Sequence, residues 1–533
     1  MRSMASFLMA VVMTSVSTLG GSGCGRWGVA DRKEAQSRYG PRGAALRAAR
    51  RMSPCPQQPK AHGGTSNVND ASAEAMFFEN YGANPFVDTD EDHFSTFAVD
   101  VDSGSYTLVR SYLERGNLPP KDAVRTEEFL NYFKYDYAPP SDSDAAFAIH
   151  TEAAPSRFGA GKLMMRIGLK ALEIDASERK DAVLTFVIDI SGSMAREDRL
   201  GLVKQSLRLL VGELRGTDRV GIAVYGSRGR VLMPHKSLDE RGAILAAIER
   251  LESTGSTNAE EGLLIGYRMA NQAYRKGAIN RVILCSDGVA NVGRTGPKSI
   301  LQTIQKYADR GITLSAVGFG MGNYNDVLME QLGDKGNGHY AYVDTLSEAK
   351  RVFVENLTGT LQVVAKDVKV QVDFNPAVVR SYRLLGYENR DVADEDFRDD
   401  TVDGGEIGAG HAVTALYELK LWPEKTGRLA TVHVRYKGMG AGQAREVKRE
   451  FGTSEAAATF DAASASFRLA ACIAEFAEIL RQSYWARGGK LDAVLAPAKR
   501  CEADYDRRED VRQLVALIEK ARRLRADERG GKN

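Results

Sequence analysis

The sequence predicts an α/β protein: a doubly wound, mostly parallel sheet inserted in a β-rich flanking domain, with helices at the N- and C-terminal ends. Three observations carry this reading. Near-continuous apolar runs at 181–190, 219–226, 281–288 and 312–320 alternate with amphipathic helical stretches, the pattern of parallel strands covered on both faces. Segments at 146–171, 363–374, 411–421 and 428–436 instead alternate apolar and polar residues, as in Val368, Val370, Val372 and Phe374, and read as half-buried antiparallel strands. Apolar stripes at 460–482 and 508–525 read as helices that close the chain. A chain of 533 residues is longer than one core usually serves, so several domains are expected.

Taken in order, residues 1–23 read as an export signal. Arg2 precedes an apolar stretch, Phe7 to Leu19, too short to cross a bilayer, and small residues lead to Cys24. Gly21-Ser22-Gly23-Cys24 resembles a bacterial lipobox, with Gly21 where an apolar residue is usual and Leu19 two positions upstream. Under that resemblance Cys24 is lipidated, and Gly25 after it favours the outer membrane, so the chain is expected to be an envelope lipoprotein held to the membrane by its lipid anchor. Residues 24–72 lack a sustained apolar period and read as a disordered, solvated tether. Residues 73–144 are an acidic extension, with 15 Asp/Glu against 5 Lys/Arg. A strand-like alternation at Phe94, Thr96 and Ala98 precedes helices at Ser105–Glu114 and Arg125–Phe133, separated by Gly116 and Pro119-Pro120. Flanking strands (145–180), the doubly wound domain (181–360), a β-rich domain (361–455) and a helical region (456–533) follow. The strands at 146–171 are expected to pair with those at 363–374 and 411–436, because each set alone is too small to bury its apolar face.

Composition narrows the chemistry. Lys+Arg 72 against Asp+Glu 70 gives a net charge of +2, so no overall field selects nucleic acid, and none is expected as a partner. Five cysteines and seven scattered histidines show neither CxxC nor HExxH spacing, which removes a zinc site of those patterns. Cys285, on an apolar strand, and Cys472, on an apolar helix, read as inert buried thiols. No nucleophile–base pair or phosphate loop emerges, so no enzyme is expected.

Three polar clusters fall where the ligand site of an open α/β sheet lies, at the carboxyl ends of its strands. They are Asp189-Ile190-Ser191-Gly192-Ser193, Gly255-Ser256-Thr257-Asn258 and Ser286-Asp287-Gly288. Oxygen-only donors of this kind suit a hard cation. The order DxSxS, then Thr, then Asp resembles the metal-ion-dependent adhesion site of von Willebrand factor A domains, with all five positions intact across 181–360. The segments around 94–106 and after 365 look like those that bracket the A domain in a family of bacterial envelope proteins. The resemblance implies that Ser191, Ser193 and Thr257 bind Mg²⁺ (or Mn²⁺/Ca²⁺) directly while Asp189 and Asp287 act mainly through water. A protein ligand then presents Asp or Glu to the open position. It implies a non-enzymatic, divalent-metal-dependent protein-binding module at the envelope, serving adhesion or complex assembly. The alternative is an accessory subunit docking on an AAA-type or metal-loading machine, which the export signal disfavours.

Other motifs read as structure. Asp100-Val101-Asp102-Ser103-Gly104-Ser105 is expected to be a strand-end turn that caps a helix, and Asp88 to Asp92 a solvated acidic turn. Gly318 to Gly322 is not GxGxxG, and Ser347 to Lys350 opens a helix.

Replacing Cys24 with serine is expected to move the protein from the membrane fraction to the soluble fraction with its fold intact, because the tether adds nothing to any core. Identical fractionation of Cys24→Ser and wild type would contradict lipidation.

Overall fold

The computed structural model describes residues 76–142, 145–157, 159–288, 297–321, 324–439, 443–506 and 508–530; Cys24 and the segments read as export signal and tether lie outside the described residues. The acidic extension contributes β1 (Val87–Asp88), β2 (Phe94–Ala98), α1 (Gly104–Glu114) and α2 (Thr126–Tyr132), and β3 (Phe147–Pro155) and β4 (Leu163–Ala171) follow. The doubly wound domain opens with β5 (Ala182–Asp189), α3 (Leu202–Glu213), β6 (Arg219–Tyr225), β7 (Gly229–Ser237), α4 (Arg241–Glu249) and α5 (Ala259–Gln272). It continues through β8 (Ile279–Ser286), α6 (Pro297–Ala308), β9 (Ile312–Phe319), α7 (Asp326–Lys335), β10 (Tyr340–Val343), α8 (Leu346–Lys350) and α9 (Leu357–Leu361). Then come β11 (Val363–Phe374), β12 (Val379–Leu385), β13 (Gly405–Gly408), β14 (Ala412–Leu421), β15 (Arg428–Gly438) and β16 (Arg445–Gly452). Helices α10 (Ala465–Leu480), α11 (Leu491–Asp504) and α12 (Glu509–Gly530) complete the described chain.

The central sheet has the order β10-β9-β8-β5-β6-β7 and is parallel except for β7, which pairs antiparallel with β6. Every residue of β5 is buried, as a central strand covered by helices on both faces requires. Val203, Leu207, Leu210 and Ile244 pack on one face, and Leu263, Ile304, Leu328 and Leu332 on the other. β7 carries Pro234, tolerable because this is an edge strand and its pairing with β6 shifts register there. The opposite edge, β10, is closed by α1: the Tyr340 amide donates to Asp102 Oδ1 (2.9 Å), and Thr107 Oγ1 donates to the Tyr342 carbonyl (2.8 Å). Side chains of the extension therefore satisfy backbone groups that an open edge would leave unpaired.

The flanking strands form a sandwich of two sheets. One runs β1-β12-β14-β4-β3; the other joins β11 with β2, β13 and β15, and β15 with β16. The pairing of 146–171 with 411–421 is thus present, as β4 on β14. The expected pairing of 146–171 with 363–374 and 428–436 is not. Those segments lie in the other sheet, and what links them is a shared core of Phe97, Ile167, Val370, Phe374, Tyr417 and Val432. An alternating strand buries one face only, so the two sheets meet face to face rather than edge to edge. α2 packs with α10, α11 and α12 around Phe129, Leu130, Ile473, Phe476, Val494 and Leu514.

Buried arginines join these parts. Arg110 of α1 donates from Nε to Asp344 Oδ2 (2.8 Å) and from its terminal nitrogens to the Tyr132 hydroxyl (2.8 Å), Gln513 Oε1 (2.9 Å) and Glu348 Oε2 (3.0 Å). Arg125 pairs with Glu128 and reaches Asp326 Oδ2 and Glu330 Oε2, both at 2.9 Å. Arg390, from the sandwich, pairs with Asp334 Oδ2 (2.8 Å), Glu330 Oε1 (3.2 Å) and Asp100 Oδ2 (3.2 Å). Asp100 and Asp102 consequently do not cap α1, as the sequence suggested. Asp100 Oδ1 accepts from the Asp102 amide, Asp102 accepts from β10, and the N-cap residue Ser103 makes no side-chain cap. Likewise Thr345, not Ser347, caps α8, accepting from the Glu348 amide at 3.2 Å.

Removing Arg390 takes the counter-charge from Asp100 and Asp334 and leaves Glu330 to Arg125 alone, so Arg390→Met is expected to lower unfolding free energy by about 3–5 kcal/mol in denaturant titrations. A near-neutral result would show that the joint does not depend on this residue. A pH effect follows as well. Burial above all lifts Glu127 and Glu330 to about 7, and Glu406 and Glu475 to about 8. Their protonated forms favour the fold, so stability is lost as pH rises through 7 to 8. The half-buried His235, His339 and His411, held below their ordinary value by desolvation, oppose this only below 6.5. Glu348 and Glu478, whose arginine partners outweigh burial and hold them low, matter only below the ordinary carboxylate range. The melting temperature in EDTA is therefore expected to fall by several degrees between about pH 6.5 and about pH 8.5; a flat or rising profile would contradict this charge distribution.

Candidate metal centre at the strand ends

β5 ends at Asp189, whose side chain is fully buried and held at both oxygens. Oδ1 accepts from the Ser191 amide (2.8 Å) and Oδ2 from the Ser286 hydroxyl at the end of neighbouring β8 (3.0 Å). The Asp189–Ser191 bond turns the chain, and Ser191 Oγ and Ser193 Oγ are brought to 3.0 Å from one another. The short helix Gly192–Ala195 is entered from Ser191, without a side-chain cap.

The loop before α5 docks on this turn. The Thr254 amide donates to the Ile190 carbonyl (2.5 Å), and the Gly192 amide to the Gly255 carbonyl (2.9 Å). Gly255 has φ +76°, and a Cβ there would lie 2.3 Å from Ser227 Oγ, so only glycine lets this loop approach so closely. Thr257 follows two residues later, half-buried, just before Asn258, which caps α5 by accepting from the Glu261 amide. Asp287 extends from β8, and its side chain is 11% exposed, so the cluster remains reachable from solvent.

The five residues read from the sequence thus sit on two adjoining strand ends and on the loop before α5 that docks against them. Two neighbours were missed. Ser286 supplies a hydroxyl to Asp189, and its place in Ser286-Asp287-Gly288 was the available signal. Arg199 donates to Asp287 Oδ2 (2.7 Å) and to the Ser193 carbonyl (2.8 Å), and also to the Met321 carbonyl. Nothing in the sequence marks Arg199, which stands in the turn entering α3.

Burial, with the neighbouring Asp287 charge adding to it, raises Asp189 to about 7, against the hydrogen bonds from Ser191 and Ser286. Burial raises Asp287 too, although Arg199 opposes it. A pair of buried carboxylates that resist ionisation together is a place where added positive charge is favourable. The donor set fits a hard divalent ion: cis ligands about 2.1 Å from an octahedral Mg²⁺ lie about 3 Å apart, the separation of the two serine hydroxyls. Ser191, Ser193 and Thr257 would hold such an ion as neutral donors, with Asp189 and Asp287 supplying the negative charge.

Among the described residues, Asp100, Glu128 and Glu330 also bring oxygens within 4.8 Å of one another. That group is buried, and Arg125 and Arg390 already supply its cations. No helix among the described residues is long and apolar enough to cross a membrane.

Comparisons with known proteins match this architecture part by part. Residues 184–357 match the von Willebrand factor type A domain family, and residues 72–166 a family described as von Willebrand factor. Residues 359–524 match the family described as the C-terminal region of YfbK. The chain is a von Willebrand factor type A domain protein. It is 38% identical over 431 residues to YfbK of Escherichia coli (strain K12), covering 76% of this chain and 74% of that relative. It belongs to the YfbK family. The human inter-alpha-trypsin inhibitor heavy chain H3 is 29% identical over 174 residues, 30% of this chain and 19% of that protein. Among solved structures, a von Willebrand factor type A protein from Catenulispora acidiphila aligns with 70% of this chain and 90% of its own, at 15% identity and a TM-score of 0.42. Domains of this type commonly mediate protein interaction and are generally non-enzymatic.

Proposed function

We propose that this chain is a divalent-metal-dependent protein-binding module of the bacterial envelope, serving adhesion or complex assembly. The supporting observation is the strand-end cluster: two serine hydroxyls 3.0 Å apart beside Asp189 and Asp287, on a face that solvent reaches. Three neutral hydroxyls and two acids leave a bound Mg²⁺ or Mn²⁺ short of negative charge, and a partner's Asp or Glu completes its surroundings. Bound there, the ion supplies electrostatic attraction for that carboxylate. Asp189 and Asp287 hold the positive charge in place, and the Gly255 loop presents Thr257 to it. Anchoring at the envelope is supported by the sequence alone, through the signal-like N-terminus and Cys24.

Millimolar Mg²⁺ is expected to raise the melting temperature of the wild-type chain, and EDTA to reverse the rise. Asp189→Ala should abolish the Mg²⁺ effect, and Asp287→Ala should nearly do so. Thr257→Ala should weaken it at least several-fold while leaving the metal-free stability within about 0.5 kcal/mol, since Thr257 lies on a loop outside the cores. Capture of envelope proteins by the wild-type chain should require Mg²⁺ and fail with Asp189→Ala. Capture undiminished in EDTA would place the working surface elsewhere.

A further inference from the structure

Arg199 occupies an unusual place for a surface-helix arginine. It lies in the π-helical turn Glu197–Gly201 that leads into α3, and its side chain is only 4% exposed. One terminal nitrogen is shared between Asp287 Oδ2 (2.7 Å) and the Ser193 carbonyl (2.8 Å), and the other reaches the Met321 carbonyl beyond β9. The chain makes room for it: a Cβ on Gly320, which has φ +77°, would lie 2.5 Å from Arg199 Cγ. The guanidinium therefore touches the segments after β5, β8 and β9 and takes one oxygen of a carboxylate that belongs to the strand-end cluster.

We propose that Arg199 is an internal counter-cation that sets how tightly the cluster holds its metal and makes that binding depend on a partner's carboxylate. Charge balance at the cluster assigns this role, resting on the proposal above that the cluster binds a divalent cation. With both acids ionised, Asp189 and Asp287 contribute two negative charges and Arg199 one positive charge, a net −1 facing the ion. A divalent ion brings the total to +1, and one external carboxylate neutralises it. Without Arg199 the two acids alone would balance the ion, and no partner charge would be needed. Fixing Asp287 through a guanidinium rather than a second hydroxyl thus weakens the resident ion and leaves it attractive to an anionic side chain. Arg199 is a positioning and affinity-determining residue here, acting on the ion through Asp287.

The test is Mn²⁺ binding to the full chain, followed by calorimetry and by the electron paramagnetic resonance signal of free Mn²⁺. Arg199→Gln is expected to tighten Mn²⁺ binding at least tenfold, and Arg199→Lys, which keeps the charge, to stay within about threefold of wild type. Asp287→Asn should weaken binding at least tenfold. The double variant Arg199→Gln/Asp287→Asn restores the net −1 and should return to within about threefold of wild type. Because the double variant removes both members of the buried pair, it keeps the test open if Arg199→Gln alone does not fold. A folded Arg199→Gln that binds Mn²⁺ no more tightly than wild type, or a double variant no better than Asp287→Asn, overturns the counter-cation role while leaving the metal site standing. A wild-type chain that binds no Mn²⁺ overturns both.

Discussion

A buried ion pair holds a fold together only when its charges and remaining hydrogen-bonding sites are satisfied, because desolvation otherwise exceeds the attraction. Arg110 and Arg390 meet that condition at the joint on which this architecture depends; Arg125 is paired at Nε and Nη1 but leaves a buried Nη2 without a hydrogen-bond partner. Each guanidinium carries contacts from at least two parts of the chain: Arg110 from α1 to α2, α8 and α12, Arg125 from the extension to α7, and Arg390 from the sandwich to α7 and Asp100. Arg110 and Arg125 of the 73–144 extension take carboxylates from α7 and α8, and its Asp100 takes Arg390, so the extension is part of the fold rather than a lead-in to it.

The same accounting separates two acidic centres. At the joint, Asp100, Asp102, Glu128, Asp326, Glu330 and Asp334 surround two arginines in a mostly closed interior. Burial lifts Asp102 and Glu128 well above the usual carboxylate range. At the strand ends, two acids face one arginine, but three hydroxyl side chains adjoin them and Asp287 is partly exposed. Neutral oxygen donors beside partly compensated acids, open to solvent, are suited to an ion from solution in a way that the closed joint is not.

Much of this was legible in the sequence, and what escaped has physical causes. Strands β5, β6, β8 and β9 announced themselves as unbroken apolar runs because both of their faces are covered. The metal-type residues were readable because DxSxS and Asp287 fall at the ends of β5 and β8, with Thr257 on a polar loop that opens a helix. β7 was missed because Pro234 and charged residues blur an edge strand, and β12 because Val379 to Leu385 follows neither period cleanly. α11 was missed because Pro497 stands inside it. The arginines escaped for a different reason. Whether Arg199 or Arg390 points into solvent or into a carboxylate is decided by tertiary packing, and sequence spacing carries no mark of it. The sandwich pairing was half readable for a related reason: alternation shows that a strand has one buried face but not which sheet that face opposes.

The central claim is that the ends of β5 and β8 form a cation site while the buried acids of the joint do not. A crystal structure of the chain soaked in Mn²⁺, with anomalous differences recorded, tests it most directly. The account predicts one strong peak within bonding distance of Ser191 Oγ and Ser193 Oγ, and no peak among Asp100, Glu128 and Glu330. A peak at that buried trio, or none beside the serines, would contradict it.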